Sequence, residues 1–154
     1  MRIEELNSEL IFTGLEAENS DAVMEWMGRE FVRQGYTKDS YVAALLAREK
    51  EYPTGLDLGQ GNICAAIPHT DAEHVIKPGT GIGILKHPVS FHVMGGDEEE
   101  LVQVSVVFML AIKDPGKQLD RLQNIIGIIQ DQKLLRELSK ASSKEEVLKC
   151  LHQL

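Results

Sequence analysis

The run VSVVFMLAI at residues 104–112 decides the fold. Every position except Ser105 is apolar, and four positions are β-branched valine or isoleucine. A strand with one wetted face alternates apolar and polar residues, whereas a nearly unbroken apolar, β-branched run is typical of a fully buried strand. The run is also far shorter than the roughly 20 residues that a transmembrane helix needs. It therefore predicts the central strand of a β-sheet.

Shorter strands are predicted on the N-terminal side of this run. They are residues 10–12, 63–67, 81–86 and 91–94, the last two joined by a turn at His87-Pro88. The acidic segment 97–100 indicates a solvated loop before the central strand. The glycines of segment 79–83 precede a strand and open no helix, so they indicate a turn with close backbone packing and not a dinucleotide-binding loop.

Apolar residues at helical spacing predict helices before and after the strands. The first spans about residues 19–34, with an inward stripe of Val23, Trp26, Met27 and Phe31, and the second spans about residues 39–52, with Val42, Leu45 and Leu46 inward. Three more follow the central strand: residues 118–129, a short helix through residues 134–138, and a last helix capped by either Ser142 with Glu145 or Ser143 with Glu146. The pattern predicts one α/β (α+β) domain, residues 1–154, with a mixed sheet of four to five strands flanked by helices.

Composition excludes several classes of function. The 154 residues are 43% hydrophobic and carry a formal charge of −8. A chain of this length and apolar content buries a core, and its negative charge disfavours nucleic acid and anionic membranes as partners. The N-terminus lacks the apolar core of a signal peptide, and Cys64 and Cys150 do not make a disulfide framework. We therefore expect a cytoplasmic protein that does not insert into a membrane.

His69 is the leading candidate for chemistry. It follows the predicted strand 63–67 and Pro68, whose fixed φ and missing N–H end the strand on a rigid base. A neutral imidazole has a nitrogen lone pair near pH 7 and can act as a nucleophile. The local pattern is also compatible with a polar turn residue.

Arg48 is a second candidate, near the end of the second predicted helix. At the edge of the buried face, its guanidinium is suited to bind an oxyanion through two parallel hydrogen bonds. On the local pattern alone, the segment Arg48-Glu49-Lys50-Glu51 is more typical of an ordinary solvated run of charges.

Segment 69–74 also admits a metal site, because His69, Asp71 and His74 offer imidazole and carboxylate ligands. A metal-dependent hydrolase is thus an alternative. The spacing argues against it, since neither a helix nor a strand places all three side chains on one face. We expect no metal and no cofactor.

Four motifs together resemble the fructose/mannitol-type enzyme IIA domains (EIIA type 2) of the bacterial sugar phosphotransferase system. GNICAAIPH at residues 61–69 is similar to the active-site signature of the family, and LAREKEYPTGL at residues 46–56 to its upstream segment. GILKHPV at residues 83–89 and the strand and leucine-rich helix after residue 106 also match, in the same order.

The resemblance implies a mixed sheet flanked by helices and a phosphotransferase that works through a phosphohistidine intermediate. It implies that His69 accepts a phosphoryl group from phospho-HPr and passes it to a IIB component, which serves a membrane IIC transporter. It also implies that Arg48 stabilises the phosphoryl charge and that Thr54 neighbours the phosphate. A regulatory module controlled by phosphorylation of His69 is a second role found in the family.

Gln118 departs from the fructose and mannitol pattern, in which a second histidine follows the central strand. A glutamine can donate a hydrogen bond to a phosphate, but it carries no charge. Gln118 and the stretch EYPTGL at residues 51–56 look more like the galactitol-type branch. We therefore expect Gln118 beside the phosphate and galactitol as a possible substrate of the system.

Overall fold

A computed structural model describes residues 7–152. Two 3₁₀ turns lie within them, Ser8–Leu10 and Ala72–His74. The strands of these residues are β1 (Ile11–Leu15), β2 (Gly55–Leu56), β3 (Cys64–Ala66), β4 (Gly79–His92) and β5 (Leu101–Ala111). The helices are α1 (Ser20–Arg33), α2 (Tyr41–Glu51), α3 (Leu119–Ile129), α4 (Gln132–Ser139) and α5 (Lys144–Leu151).

The five strands form one mixed sheet in the order β1-β4-β5-β3-β2. β1 pairs with β4 and β3 pairs with β5 in parallel, whereas β4 with β5 and β2 with β3 are antiparallel. The predicted fold class is confirmed, and β5 lies at the centre of the sheet, as its apolar run predicts.

Helices cover both faces of β5, which explains why its sequence does not alternate with polar residues. Val107 and Met109 belong to the core beneath α1 and α2. Val106, Phe108 and Leu110 point the other way, into the core beneath α3, α4 and α5. Full burial of a side chain of this size contributes about 1.5–3 kcal/mol, so β5 anchors both halves of the core.

Three glycines of β4 let α1 and the residues after it approach the sheet closely. A Cβ atom built on Gly79, Gly81 or Gly83 would lie 2.6–2.8 Å from Tyr36, Phe31 or Met27 respectively. The sequence-based expectation of close backbone packing is confirmed, but the expected turn is wrong, because all three glycines lie in a strand.

The predicted turn at His87-Pro88 is also wrong, because β4 runs unbroken through it. Ile84 pairs with Val106 and Val89 with Val104, so β4 contains three more residues than β5 over this stretch. A bulge accommodates Pro88, which has no N–H for the ladder.

Several predicted core positions differ in the structure. Trp26 is 47% exposed and rests edge-on against Phe12, while Met24 occupies the buried stripe of α1 instead. Val42 and Leu46 are half-buried. A two-residue strand such as β2 carries no periodicity, so the sequence did not indicate it.

The helix caps follow from short polar side chains. The Asn19 side chain accepts a 2.8 Å hydrogen bond from the N–H of Ala22, and the Ser143 hydroxyl accepts one of 3.1 Å from the N–H of Glu146. The second bond settles the cap of the last helix in favour of Ser143 with Glu146. Across residues 7–152, the helices are too short or too polar to cross a membrane.

The close approach of α1 to β4 predicts that Gly81→Ala destabilises the fold by about 1–3 kcal/mol, because the new methyl group would overlap the Phe31 ring. Gly127→Ala is the matched control. It adds the same group inside α3, where no atom outside the adjoining residues and the helix's own backbone lies within 4 Å, and alanine favours a helix by about 0.5–1 kcal/mol. Urea unfolding of both variants checks the two signs, and equal stability of the two would contradict the packing described.

Candidate active site

The main chain holds His69 at the end of β3, beside the end of β5. The carbonyl of Pro68 accepts a 3.0 Å hydrogen bond from the N–H of Leu110, and His69 forms a bridge with the same residue. Pro68 has no N–H to donate to the strand ladder, but its carbonyl oxygen still accepts a hydrogen bond. The strand pairing therefore extends to His69 and fixes its backbone.

The ring of His69 is oriented by its own segment. Nδ1 lies 2.8 Å from the carbonyl oxygen of Ile67. A carbonyl oxygen only accepts, so in the neutral ring Nδ1 carries the hydrogen and Nε2 keeps the lone pair. The side chain is half-buried. The arrangement presents Nε2 as the nitrogen able to attack a substrate.

Arg48 lies on the last turn of α2 and reaches the segment that follows His69. Its Nη1 is 3.6 Å from Oδ1 of Asp71, and its guanidinium stands 5.1 Å above the ring of Tyr52. The side chain is 35% exposed, while Nε is buried and has no hydrogen-bond partner among residues 7–152. The structure thus places a cation beside Asp71, the second residue after His69 in the chain, with one N–H group still unpaired among residues 7–152.

Thr54 is 3% exposed and is hydrogen-bonded to Glu49. Its N–H and hydroxyl donate to the Glu49 carboxylate at 2.8 and 2.7 Å. Its carbonyl accepts a 3.2 Å hydrogen bond from the N–H of Ile67. That Thr54 neighbours the phosphate stays a prediction, since its hydroxyl proton is engaged with Glu49.

Glu49 is 9% exposed, although the sequence suggests a solvated run of charges here. Burial raises the pKa of its carboxyl above the ordinary value, against the opposing effect of the hydrogen bonds from Thr54. A buried carboxylate requires partners of this kind, because leaving it without hydrogen bonds costs several kcal/mol.

Gln118 is the N-terminal cap residue of α3 and organises the loop after β5. Its Oε1 accepts hydrogen bonds from the N–H groups of Lys113 and Asp114, at 2.7 and 2.8 Å. These two donors fix the orientation of the amide and direct its NH₂ group away from them. That this group neighbours a phosphate stays a prediction.

The residues of the alternative metal site are engaged elsewhere. Nδ1 of His74 lies 2.8 Å from the Ser40 hydroxyl, and Asp71 pairs with Arg48. Among residues 7–152, no group of three or more His, Cys, Asp or Glu side chains is arranged to hold a metal ion. The geometry gives the hydrolase alternative no support.

The family model described as phosphoenolpyruvate-dependent sugar phosphotransferase system, EIIA 2, matches residues 4–154. The chain belongs to this family. The resemblance carried by the four sequence motifs is thereby confirmed. An EIIA component is a phosphotransferase that carries a phosphoryl group on a histidine, so the phosphocarrier class of function is confirmed with it.

Curated relatives support the same placement of this EIIA chain. It is 32% identical to the galactitol-specific EIIA component of Escherichia coli (strain K12) over 126 residues, which cover 82% of this chain and 81% of the relative. It is 30% identical to the mannitol-specific EIICBA component of the same strain over 149 residues, 95% of this chain and 22% of that longer protein.

Solved structures are similar over nearly the whole EIIA chain. The complex of enzyme IIA and phosphorylated enzyme IIB for mannitol from Escherichia coli matches with a TM-score of 0.75 and 27% identity, over 97% of this chain and 98% of that one. The nitrogen regulatory protein IIA-Ntr of Neisseria meningitidis matches with a TM-score of 0.72 and 28% identity, over 96% and 97%.

Sequence reasoning about this EIIA chain missed two groups, one in contact with His69 and one linked to it through Thr54 and Ile67. One is the Ile67 carbonyl, which no side-chain pattern reveals. The other is Glu49, for which a signal existed: it lies four residues after Leu45 and eight after Tyr41, on the same buried face of α2. Its position in a charged run masked that periodicity.

Proposed function

We propose that Nε2 of His69 is the atom that accepts the phosphoryl group from phospho-HPr and then delivers it to a IIB component. The hydrogen bond from Nδ1 to the Ile67 carbonyl carries this proposal, because it leaves the Nε2 lone pair on a half-buried ring held by the main chain. Membership of the EIIA family supplies the reaction class.

The transfer requires no proton to leave His69. The Nε2 lone pair attacks phosphorus in line with the bond to the donor histidine; the new N–P bond forms as the old one breaks, and the donor nitrogen recovers its lone pair. The ring of His69 gains positive charge while Nδ1 keeps its hydrogen. The hydrogen bond to Ile67 becomes stronger as the ring becomes cationic, which stabilises the transfer.

Arg48 balances the charge of the phosphoryl group in this scheme. Its 3.6 Å ion pair with Asp71 is partly exposed, and such pairs contribute only about 0–1 kcal/mol. Exchanging Asp71 for a doubly charged phosphoryl group therefore costs little. The Arg48 side chain is 35% exposed, and a guanidinium has several N–H donors, so it can offer the same group more than one hydrogen bond.

The neutral side chain of Gln118 supports a galactitol-type system, as does the 32% identity to a galactitol-specific EIIA component. In this scheme the protein is cytoplasmic, HPr is the donor, IIB the acceptor, and a membrane IIC transporter is served indirectly. The sugar itself never contacts EIIA. Thr54 lies beside the phosphate in this scheme, and Gln118 donates to it from its NH₂ group.

A regulatory role is the second candidate, because the chain is similar to a nitrogen regulatory IIA protein over most of its length. The two roles differ in the fate of the phosphoryl group. Rapid loss of the phosphoryl group to a cognate IIB protein favours transport, whereas stable phosphorylation that changes the binding of another protein favours regulation.

Incubation with phospho-HPr is expected to add one phosphoryl group that is lost in acid, as a phosphohistidine is. His69→Ala is expected to abolish the addition, and His87→Ala, on the exposed bulge of β4, to leave it unchanged. Intact mass before and after mild acid measures both. Normal phosphorylation of the His69→Ala protein would refute the assignment.

Arg48→Ala is expected to slow phosphoryl acceptance by about 10²-fold, the usual scale for removing a group that stabilises transition-state charge. Arg29→Ala is the matched control, because Arg29 also lies on a helix and pairs with an exposed carboxylate at 3.7 Å. Rapid-quench rates with phospho-HPr check both variants. Equal rates for the two variants would show that Arg48 has no role in the transfer and is part of an ordinary solvated run of charges.

A further inference from the structure

A continuous line of hydrogen bonds joins a buried carboxylate to the ring of His69. Glu49 accepts from the N–H and the hydroxyl of Thr54. The Thr54 carbonyl accepts from the N–H of Ile67, and the Ile67 carbonyl lies 2.8 Å from Nδ1 of His69. Three consecutive links thus separate Glu49 from the ring.

We propose that Glu49 is a positioning residue that fixes the tautomer and orientation of His69 through Thr54 and Ile67. The inference rests on the proposed function of His69. Glu49 itself touches neither the phosphoryl group nor the reacting nitrogen in this scheme.

The first link is rigid because both partners are buried and both carboxylate oxygens are used. Oε2 takes the backbone N–H of Thr54 and Oε1 takes its hydroxyl. Two bonds from one residue fix the position and the rotation of the threonine together. Since Glu49 and Thr54 are 9% and 3% exposed, water cannot replace either bond at low cost.

The second link transmits that position to the peptide groups around Ile67. Thr54 directly precedes the pairing of Gly55 with Ala66, so its carbonyl extends the β2–β3 ladder by one bond. On the opposite side, Leu110 of β5 holds the carbonyl of Pro68. The segment before His69 is therefore held from both neighbouring strands, and the direction of the Ile67 carbonyl is set by them.

Adjacent residues of α2 hold the segment on both sides of His69. Glu49 acts on Ile67, two residues before the histidine, and Arg48 contacts Asp71, two residues after it. The last turn of one helix thus determines where the ring stands and supplies a cation near it. A ring held in this way needs no rearrangement at the moment of transfer.

Variants at both ends of the first link test the proposal. Glu49→Gln keeps the shape of the side chain but replaces one carboxylate oxygen with an NH₂ group, which cannot accept a hydrogen bond. Thr54→Val replaces only the hydroxyl with a methyl group. Thr54→Ser keeps the hydroxyl and is the conservative rescue. Glu51→Gln is the matched control, because the same substitution then falls on an exposed residue of the same helix turn.

Long-range ¹H–¹⁵N correlation spectra of the unphosphorylated protein report the His69 tautomer, at a pH about two units above the ordinary histidine value of ~6.5. We expect the Nδ1–H form in the native, Thr54→Ser and Glu51→Gln proteins, and a mixture of tautomers in Glu49→Gln and Thr54→Val. In rapid-quench assays, the last two should lose about tenfold or more of the maximal rate of phosphoryl acceptance, with less than a twofold change in half-saturating phospho-HPr.

An unchanged tautomer and rate in folded Glu49→Gln and Thr54→Val proteins would overturn the proposal. So would a normal tautomer accompanied by a general loss of binding to phospho-HPr. Thermal unfolding identifies any variant that does not fold, and the Thr54→Val and Thr54→Ser pair then decides the question. The spectra need no phosphoryl transfer, so failure of the role of His69 itself, seen as normal phosphorylation of His69→Ala, remains a separate result.

Discussion

Burial of β5 on both faces is the constraint on which the rest of the structure depends. On one face, Val107 and Met109 pack in the core beneath α1 and α2. On the other face, Val106 and Phe108 pack in the core beneath α3, α4 and α5. With both faces covered, the strand binds its neighbours only through its edges. β3 occupies one edge in parallel, so the end of β3, where His69 stands, is fixed relative to the whole core.

Phosphoryl transfer suits such a site, because the protein performs little covalent chemistry of its own beyond offering a nucleophile. What it supplies is position and compensating charge. His69 has its backbone held by Leu110 and its ring by Ile67, and Arg48 lies within reach of the adjoining Asp71. The small cost of breaking the exposed Arg48–Asp71 pair fits a carrier that must accept a phosphoryl group and release it again.

The sequence predicted the features that follow from hydrophobic patterning. The central strand, the helical layers and the rigid presentation of His69 after Pro68 are read from apolar runs and from the chemistry of proline. It did not predict interactions that depend on tertiary contact. The bulge in β4 accommodates Pro88 where a turn was expected, and Trp26 is exposed while Met24 is buried in the core.

The features of the site also divide into those that the sequence predicted and those that depend on tertiary contact. His69 and Arg48 were predicted as site residues from their residue types, their placement and the family motifs. The burial of Glu49 depends on Thr54 folding back over the end of α2, which a run of alternating charges conceals. The hydrogen bond between the Ile67 carbonyl and His69 is a main-chain property, and main-chain direction is set by strand pairing that only the folded structure reveals.

The most direct test is to identify which ring nitrogen of His69 carries the phosphoryl group. Long-range ¹H–¹⁵N spectra of the chain phosphorylated by phospho-HPr distinguish the two ring nitrogens and all five histidines. The account predicts phosphorus on Nε2 of His69, with hydrogen retained on Nδ1 and bonded to Ile67. Phosphorus on Nδ1 of His69, or on any other histidine, would contradict it.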